Sequence, residues 1–349
     1  MEVSGRVEPD FERVREAFVQ AVGDEAGAAV AAWHEGAWVV DLWGGPEWEQ
    51  DSLVQPYSVS KPFAAVAALL LVERGSLELD APMQRYWPEF RTEATLRYVL
   101  SHQAGVVALD EPVPTAAFYD WQRLCGLLAA QEPAWEPGTA HGESALFYGH
   151  LVGEVVRRVD GRGLGQFLRD ELGFEFFVGL TRAEQARTVD LKGLTDEFRT
   201  ANLSGQPELY RRAISNPPGS LDPKVVNGAA WRAAEVPAVN GHGTARGVAG
   251  LYAELLQGRL LSADLLGEAT TAQCSGVDRV FGHESTWGLG FGLDADGFGM
   301  GGLGGSYGGA STTGGYAFAF LTATMGDHER GTSVENALRD CLGLPPLDD

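Results

Sequence analysis

Ser58 and Lys61 stand three residues apart in the stretch Tyr57-Ser58-Val59-Ser60-Lys61-Pro62-Phe63. On a helix, that interval puts both side chains on one face and within reach of each other. A serine hydroxyl is a weak nucleophile at neutral pH, so a neighbouring base must take its proton; a lysine amine can do so when burial lowers its pKa. The first turn of a helix also offers backbone N–H groups without intrahelical partners, which can stabilise a developing oxyanion. A Ser–Lys pair at this interval is common in solvated first turns, so the tetrapeptide gains weight only from its surroundings.

Other reactive residue types point nowhere as clearly. Cys125, Cys274 and Cys341 are odd in number and far apart, with no C-x-x-C, so neither a disulfide scaffold nor a zinc site is indicated. The histidines, among them His102, His141, His150, His242 and His283, show no metal-ligand spacing. No metal or cofactor is implied. Gly299-Met300-Gly301-Gly302-Leu303-Gly304 fits G-x-G-x-x-G but no helix pattern follows it, which argues against a dinucleotide site. Gly304-Gly305-Ser306-Tyr307-Gly308 fits the nucleophile elbow G-x-S-x-G, yet it leads into the strand-like Tyr316-Ala317-Phe318-Ala319-Phe320 rather than a helix. Ser306 therefore reads as a loop residue lining a cleft. Trp43, Trp87, Trp135, Trp231 and Trp287 could line an apolar pocket, with core packing the better reading for any one of them.

The elements that must carry the pair are legible in outline. The pattern predicts an amphipathic helix over 11–23 and a β-hairpin from 28–33 and 38–43 around the turn residue Gly36. Residues 58–74 read as the strongest helix, with Pro62 in its first turn and Gly75 at its stop. Being apolar nearly all round, that helix should be buried between layers. Helices and loops dominate from 80 to about 221, with helices expected over 96–102, 118–130, 145–159 and 165–172. After Trp231 a helix over 243–257 precedes strands over 287–293 and 316–324. The simplest arrangement is a sheet domain built from 1–79 and 231–349, with a helical domain from 80–230 inserted between.

With 26 Lys and Arg against 48 Asp and Glu, the formal charge of −22 argues against a nucleic-acid or acidic-membrane partner, since polyanions would repel it. The longest apolar run, Phe63 to Val72, falls short of the ~20 residues needed to cross a bilayer. Neither it nor the N-terminal residues read as a targeting segment, so a cytoplasmic setting is the default. Asn202-Leu203-Ser204 reads as a chance sequon.

The Ser58–Lys61 segment, Val72-Glu73-Arg74-Gly75-Ser76-Leu77-Glu78-Leu79-Asp80-Ala81-Pro82, Leu100-Ser101-His102-Gln103-Ala104-Gly105, Glu136-Pro137-Gly138-Thr139, 151–159, 240–246 and the Gly299–Gly308 loop occur in one order. Together they resemble the serine β-lactamase-like superfamily, and within it the class C β-lactamases and their esterase relatives. The resemblance implies an α+β fold: an antiparallel sheet flanked by helices, an all-helical domain, and an active site between them. It makes Ser58 a nucleophile acylated by an ester, amide or thioester, and Lys61 its base or proton shuttle. The oxyanion would be held by the backbone N–H groups of Ser58 and of Leu303, just after Met300-Gly301-Gly302 on an edge strand. Tyr57, His141, Met300, Gly301, Gly302 and Ser306 are the substrate neighbours read with them, and the partner is a small-molecule acyl donor.

Two positions depart from the family pattern. Alignment through Pro137-Gly138-Thr139-Ala140-His141-Gly142 puts Glu143 where the second motif carries a tyrosine that shares the proton work; Tyr148 falls at an aromatic packing position. Met300 stands where the third motif begins with Lys, His or Trp. An ionised carboxylate beside Lys61 should favour the ammonium and raise the lysine pKa, making the lysine a poorer base. Glu143 then either serves as the base itself, forms a structural ion pair, or supports proton transfer on a bound substrate with no acyl-enzyme. Two function classes follow: a serine acyl-transfer enzyme (esterase-like hydrolase or transacylase), or a non-hydrolytic enzyme or silent binding protein that reuses the cleft.

Overall fold

A computed structural model describes residues 3–22 and 27–347. Its strands are β1 (Val3–Val7), β2 (Ala28–His34), β3 (Ala37–Gly44), β4 (Phe176–Phe177), β5 (His242–Gly243), β6 (Cys274–Val277), β7 (Glu284–Trp287), β8 (Gly292–Leu293), β9 (Gly297–Gly302), β10 (Ser306–Ser311) and β11 (Tyr316–Thr322). Nine of them form one antiparallel sheet in the order β1-β3-β2-β11-β10-β9-β8-β7-β6, and β4 pairs with β5 apart from it. Every strand of the large sheet comes from 3–44 or 274–322. The chain between is helices and loops apart from the β4–β5 pair, which gives the α+β arrangement of a sheet with helices on both faces.

Side-chain alternation explains the layering. In β11, Tyr316, Phe318 and Phe320 point to one face, where the helices Glu12–Val22 and Glu329–Cys341 supply Val14, Phe18, Val334 and Leu338. Ala317, Ala319 and Leu321 point to the other face, whose core includes Val248, Ala249 and Leu251 of the helix Ala245–Leu256. Small residues on that side let the helix lie close to the sheet. The β2–β3 hairpin turns at Glu35 and Gly36, both at positive φ (46° and 90°), a pairing that matches the right-handed twist of the strands. The helix predicted over 11–23 spans Glu12–Val22; Gly23 lies outside the described residues.

Four expectations need correction. The helix predicted from Ser58 begins at Lys61, after a 3₁₀ turn over Tyr57–Ser60. Pro62 is the cause: it has no N–H to give the Ser58 carbonyl in an α bond, and the Lys61 N–H bonds that carbonyl instead, closing a tighter turn. The single strand predicted over 287–293 is two, β7 and β8, because Gly288 and Gly290 cross close over the Ala269 carbonyl and Ala65, where no side chain fits. The glycine loop at 299–308 is mostly a hairpin, β9 and β10, with Leu303–Gly305 as its turn. Nor is β9 a true edge strand, since Phe298 and Gly299 pair with β8, but that pairing stops there and leaves Met300–Gly302 open on that side.

Candidate active site

The 3₁₀ turn is what sets the chemistry. With three residues per turn, positions i and i+3 eclipse, so Ser58 and Lys61 stack one above the other, and the Lys61 Nζ lies 2.6 Å from the Ser58 Oγ. Tyr57 precedes them at φ 49°, a left-handed conformation costing on the order of 1 kcal/mol for a residue with a side chain. Its buried ring and the 2.9 Å bond from its phenol to the Ser220 carbonyl hold it there. Sharp backbone geometry thus delivers Ser58 to the mouth of the helix Lys61–Glu73, whose residues from Lys61 to Leu71 are all buried.

Glu143 completes a triangle. Its Oε1 lies 2.8 Å from Lys61 Nζ and accepts from the Ser58 hydroxyl at 3.3 Å. The third donor position of the ammonium is taken by the Ala238 carbonyl at 3.3 Å, so a fully buried Lys61 has an acceptor for each N–H. Burial pulls the Lys61 amine below its ordinary pKa, and the opposing pull of Glu143 does not overcome it. That reverses the expectation of a raised lysine: the carboxylate acts as foreseen, but loss of hydration is the larger effect. Burial pushes the Glu143 carboxyl up, yet the charge of Lys61 and the bonds from Lys61 and Ser58 more than offset it, leaving it below the usual carboxylate range.

The two backbone N–H groups expected to receive an oxyanion, those of Ser58 and Leu303, belong to one cavity. Leu303 and Ser58 line the same small cavity, about 60 Å³, and the hydrogen bonds among the described residues leave the backbone N–H of both unclaimed. Gly302 makes this approach feasible, because a Cβ there would collide with the Pro56 carbonyl. The remaining cavity wall is apolar or neutral: Leu146, Ile214, Leu221, Val239, Phe281 and Tyr210, with no cationic side chain.

The other candidates are placed less uniformly. Tyr57 lines the cavity. Met300 is buried in β9 and, by alternation, shares the face of Gly302, but does not reach the cavity wall. Gly301 is on the opposite face, against His328. Ser306 is not a cleft-lining loop residue: it opens β10, is buried, and its hydroxyl accepts from the Thr322 N–H at 3.1 Å. His141 lies 3.0 Å from the Ser285 hydroxyl and faces a separate depression beside Cys274 and Arg279. None of the five tryptophans lines the Ser58 cavity; Trp87 and Trp231 are wholly buried.

Residue patterns assigned no role to three supports. Asn240, fully buried, accepts from Val236 N–H and donates to the Trp231 and Ala234 carbonyls, fixing the loop that presents the Ala238 carbonyl. His102 accepts from the Ser144 N–H through Nδ1 at 3.2 Å, and burial holds its imidazole down to about 3, so the ring is neutral and can act as that acceptor. Asp278 accepts from the Glu143 N–H at 2.9 Å. Local clues existed for His102, which sits in the Leu100–Gly105 motif, and for Asn240, which opens the 240–246 motif, but not for Asp278.

Among the described residues no cluster of His, Cys, Asp and Glu could hold a metal ion, and no helix is long and apolar enough to cross a membrane. The family model described as Beta-lactamase matches residues 14–340. The chain is 28% identical over 385 aligned residues to the Esterase/beta-lactamase LipL of Mycobacterium tuberculosis, across 97% of this chain and 88% of that protein. A family VIII carboxylesterase of known structure superposes with a TM-score of 0.89 at 34% identity, covering 98% of this chain and 100% of that one. A penicillin-binding protein homolog from Caulobacter crescentus does so at 0.87 and 30%, again over 98% and 100%. With the fold, the serine–lysine turn and the family match extending over nearly its whole length, the chain belongs to the beta-lactamase family.

Proposed function

We propose that this chain is a serine acyl-transfer enzyme, an esterase-like hydrolase or transacylase, that acts on small uncharged acyl donors through an acyl-Ser58 intermediate. The Ser58–Lys61–Glu143 triangle carries the reading. As the Ser58 Oγ attacks the carbonyl carbon, its proton passes to Glu143, directly across 3.3 Å or by way of Lys61. The N–H groups of Ser58 and Leu303 receive the oxyanion; the bond to the alcohol then breaks and the alcohol leaves with the proton. Water or a second alcohol reverses these steps. In this scheme Glu143 takes over the role of the family tyrosine. Esterase names among the similar proteins support the same class of reaction.

Lys61 is already paired with Glu143, and the cavity wall among the described residues carries no further cationic side chain, which favours neutral esters over anionic acyl donors, because a buried anion without a partner is costly. The test is to treat the enzyme with a fluorophosphonate and locate the adduct by mass spectrometry, alongside turnover of p-nitrophenyl esters. A single adduct on Ser58, and loss of turnover by at least about a thousandfold in Ser58→Ala, is the expected result. Turnover persisting in Ser58→Ala, or an unlabelled Ser58, would instead favour a non-hydrolytic enzyme or a binding protein.

A further inference from the structure

Asp278 is buried at the start of the β6–β7 turn and spends both carboxylate oxygens on backbone N–H groups. Oδ1 accepts from Val280 and Phe281, each at 2.8 Å, and Oδ2 accepts from Glu143 at 2.9 Å. It forms no ion pair among the described residues within 4.0 Å, so these three donors are its hydrogen-bonding compensation. One side chain therefore ties the segment bearing the site carboxylate to Phe281 in the cavity wall, whose ring meets Tyr210 edge-on at 5.2 Å. A second tie, from the Arg279 N–H to the His141 carbonyl at 2.9 Å, lies beside it.

We infer that Asp278 is a positioning residue that fixes the Glu143 backbone so that its carboxylate closes the triangle with Ser58 and Lys61. The inference rests on the acyl-serine reading above and on Glu143 receiving the serine proton. Without Asp278 the Glu143 N–H loses its acceptor and the segment has one tie fewer to the hairpin. The carboxylate then samples orientations beyond the 3.3 Å reach to the hydroxyl. An asparagine at this position cannot replace it, since one of its two polar atoms is a donor and cannot accept from an N–H.

The test follows the rate at which a fluorophosphonate modifies Ser58, read by intact-mass spectrometry. In that reaction the Oγ–P bond forms, the P–F bond breaks, fluoride leaves and the serine proton goes to the base. Unmodified enzyme, D278N, E143Q and the double variant are compared at matched thermal stability and across pH. The expected result is a slowing of roughly ten- to a hundredfold in D278N, with the acid limb of its rate–pH profile moved to higher pH as Glu143 loosens from Lys61. In E143Q, adding D278N should cost little more, because both act on one step. Equal rates and pH profiles for D278N and the unmodified enzyme, or losses that multiply in the double variant, overturn the inference. If E143Q labels as fast as the unmodified enzyme, the proton-acceptor role of Glu143 falls, and a route through it falls too. If the unmodified enzyme is not labelled at all, the acyl-serine reading itself fails, and this inference with it.

Discussion

At the scale of single residues, the site inverts a simple rule. A carboxylate 2.8 Å from a lysine should keep that lysine protonated, yet the amine lies in so dry a place that its pKa falls, while the carboxylate falls as well. Hydrogen bonds to Ser58 and Ala238 hold the charge-bearing pair. Because Glu143 must be ionised to accept a proton and its pKa is lowered, ester turnover should persist into more acid solution than an ordinary carboxylate, near ~4.3, would allow. A kcat/KM profile between pH 3 and 8 tests this; an acid limb above about pH 5 would count against Glu143 as the base. Glu143→Gln should lower kcat by roughly 10²–10⁴-fold and erase that limb. Glu143→Tyr separates drift from novelty: a rise in ester turnover marks a site that has merely drifted from the family pattern, and a collapse marks a carboxylate with its own role.

At the scale of elements, two local departures from regular structure make the site. Pro62 converts the start of a helix into a 3₁₀ turn, and Gly302 lets β9 lie against that turn. Substituting Gly302→Ala puts a methyl group into the Pro56 carbonyl and should push the Leu303 amide away from Ser58. Loss of one oxyanion donor costs on the order of 10²–10³ in kcat, so turnover should fall by that factor while circular dichroism remains native. Unchanged turnover in this variant would remove Leu303 from the mechanism. Pro62→Ala is milder: an N–H at 62 can bond the Ser58 carbonyl, relax the turn toward α geometry and lengthen the contact from Lys61 to Ser58, which should slow Ser58 labelling several-fold.

At the scale of the whole molecule, the termini close the sheet on the side away from the site. There the helix Glu329–Cys341 buries Glu335, whose carboxylate accepts from the Tyr316 phenol at 2.8 Å. Burial raises the Glu335 pKa to about 7. A carboxyl with a folded pKa above its unfolded value gives its full stabilisation below the unfolded value, and that contribution is lost as pH rises through about 7. The melting temperature should therefore drop as pH rises from about 4.5 to about 7 and level off above that, and Glu335→Gln, which keeps the acceptor for Tyr316, should flatten that drop. Equal pH slopes in the two proteins would refute it.

What the sequence determined by itself follows from period and residue type. The alternating β2–β3 runs, the apolar helix after Ser58 and the ordered family motifs each carry their signal within a short window, because side-chain periodicity and cap chemistry are local. The glycine-rich β9–β10 hairpin has no such signal. Its strands persist because neighbouring backbone and rings approach too closely for side chains, a fact about Pro56, Val248 and Tyr307 rather than about the glycines. In the same way nothing around Asp278 in the chain distinguishes a pin from an ordinary polar turn, and the motifs holding Asn240 and Ser306 do not reveal that one is a clamp and the other a buried strand residue. Tertiary structure alone decided those roles, and with them the balance of burial against charge at Lys61, since hydration is lost only when distant segments close over a group.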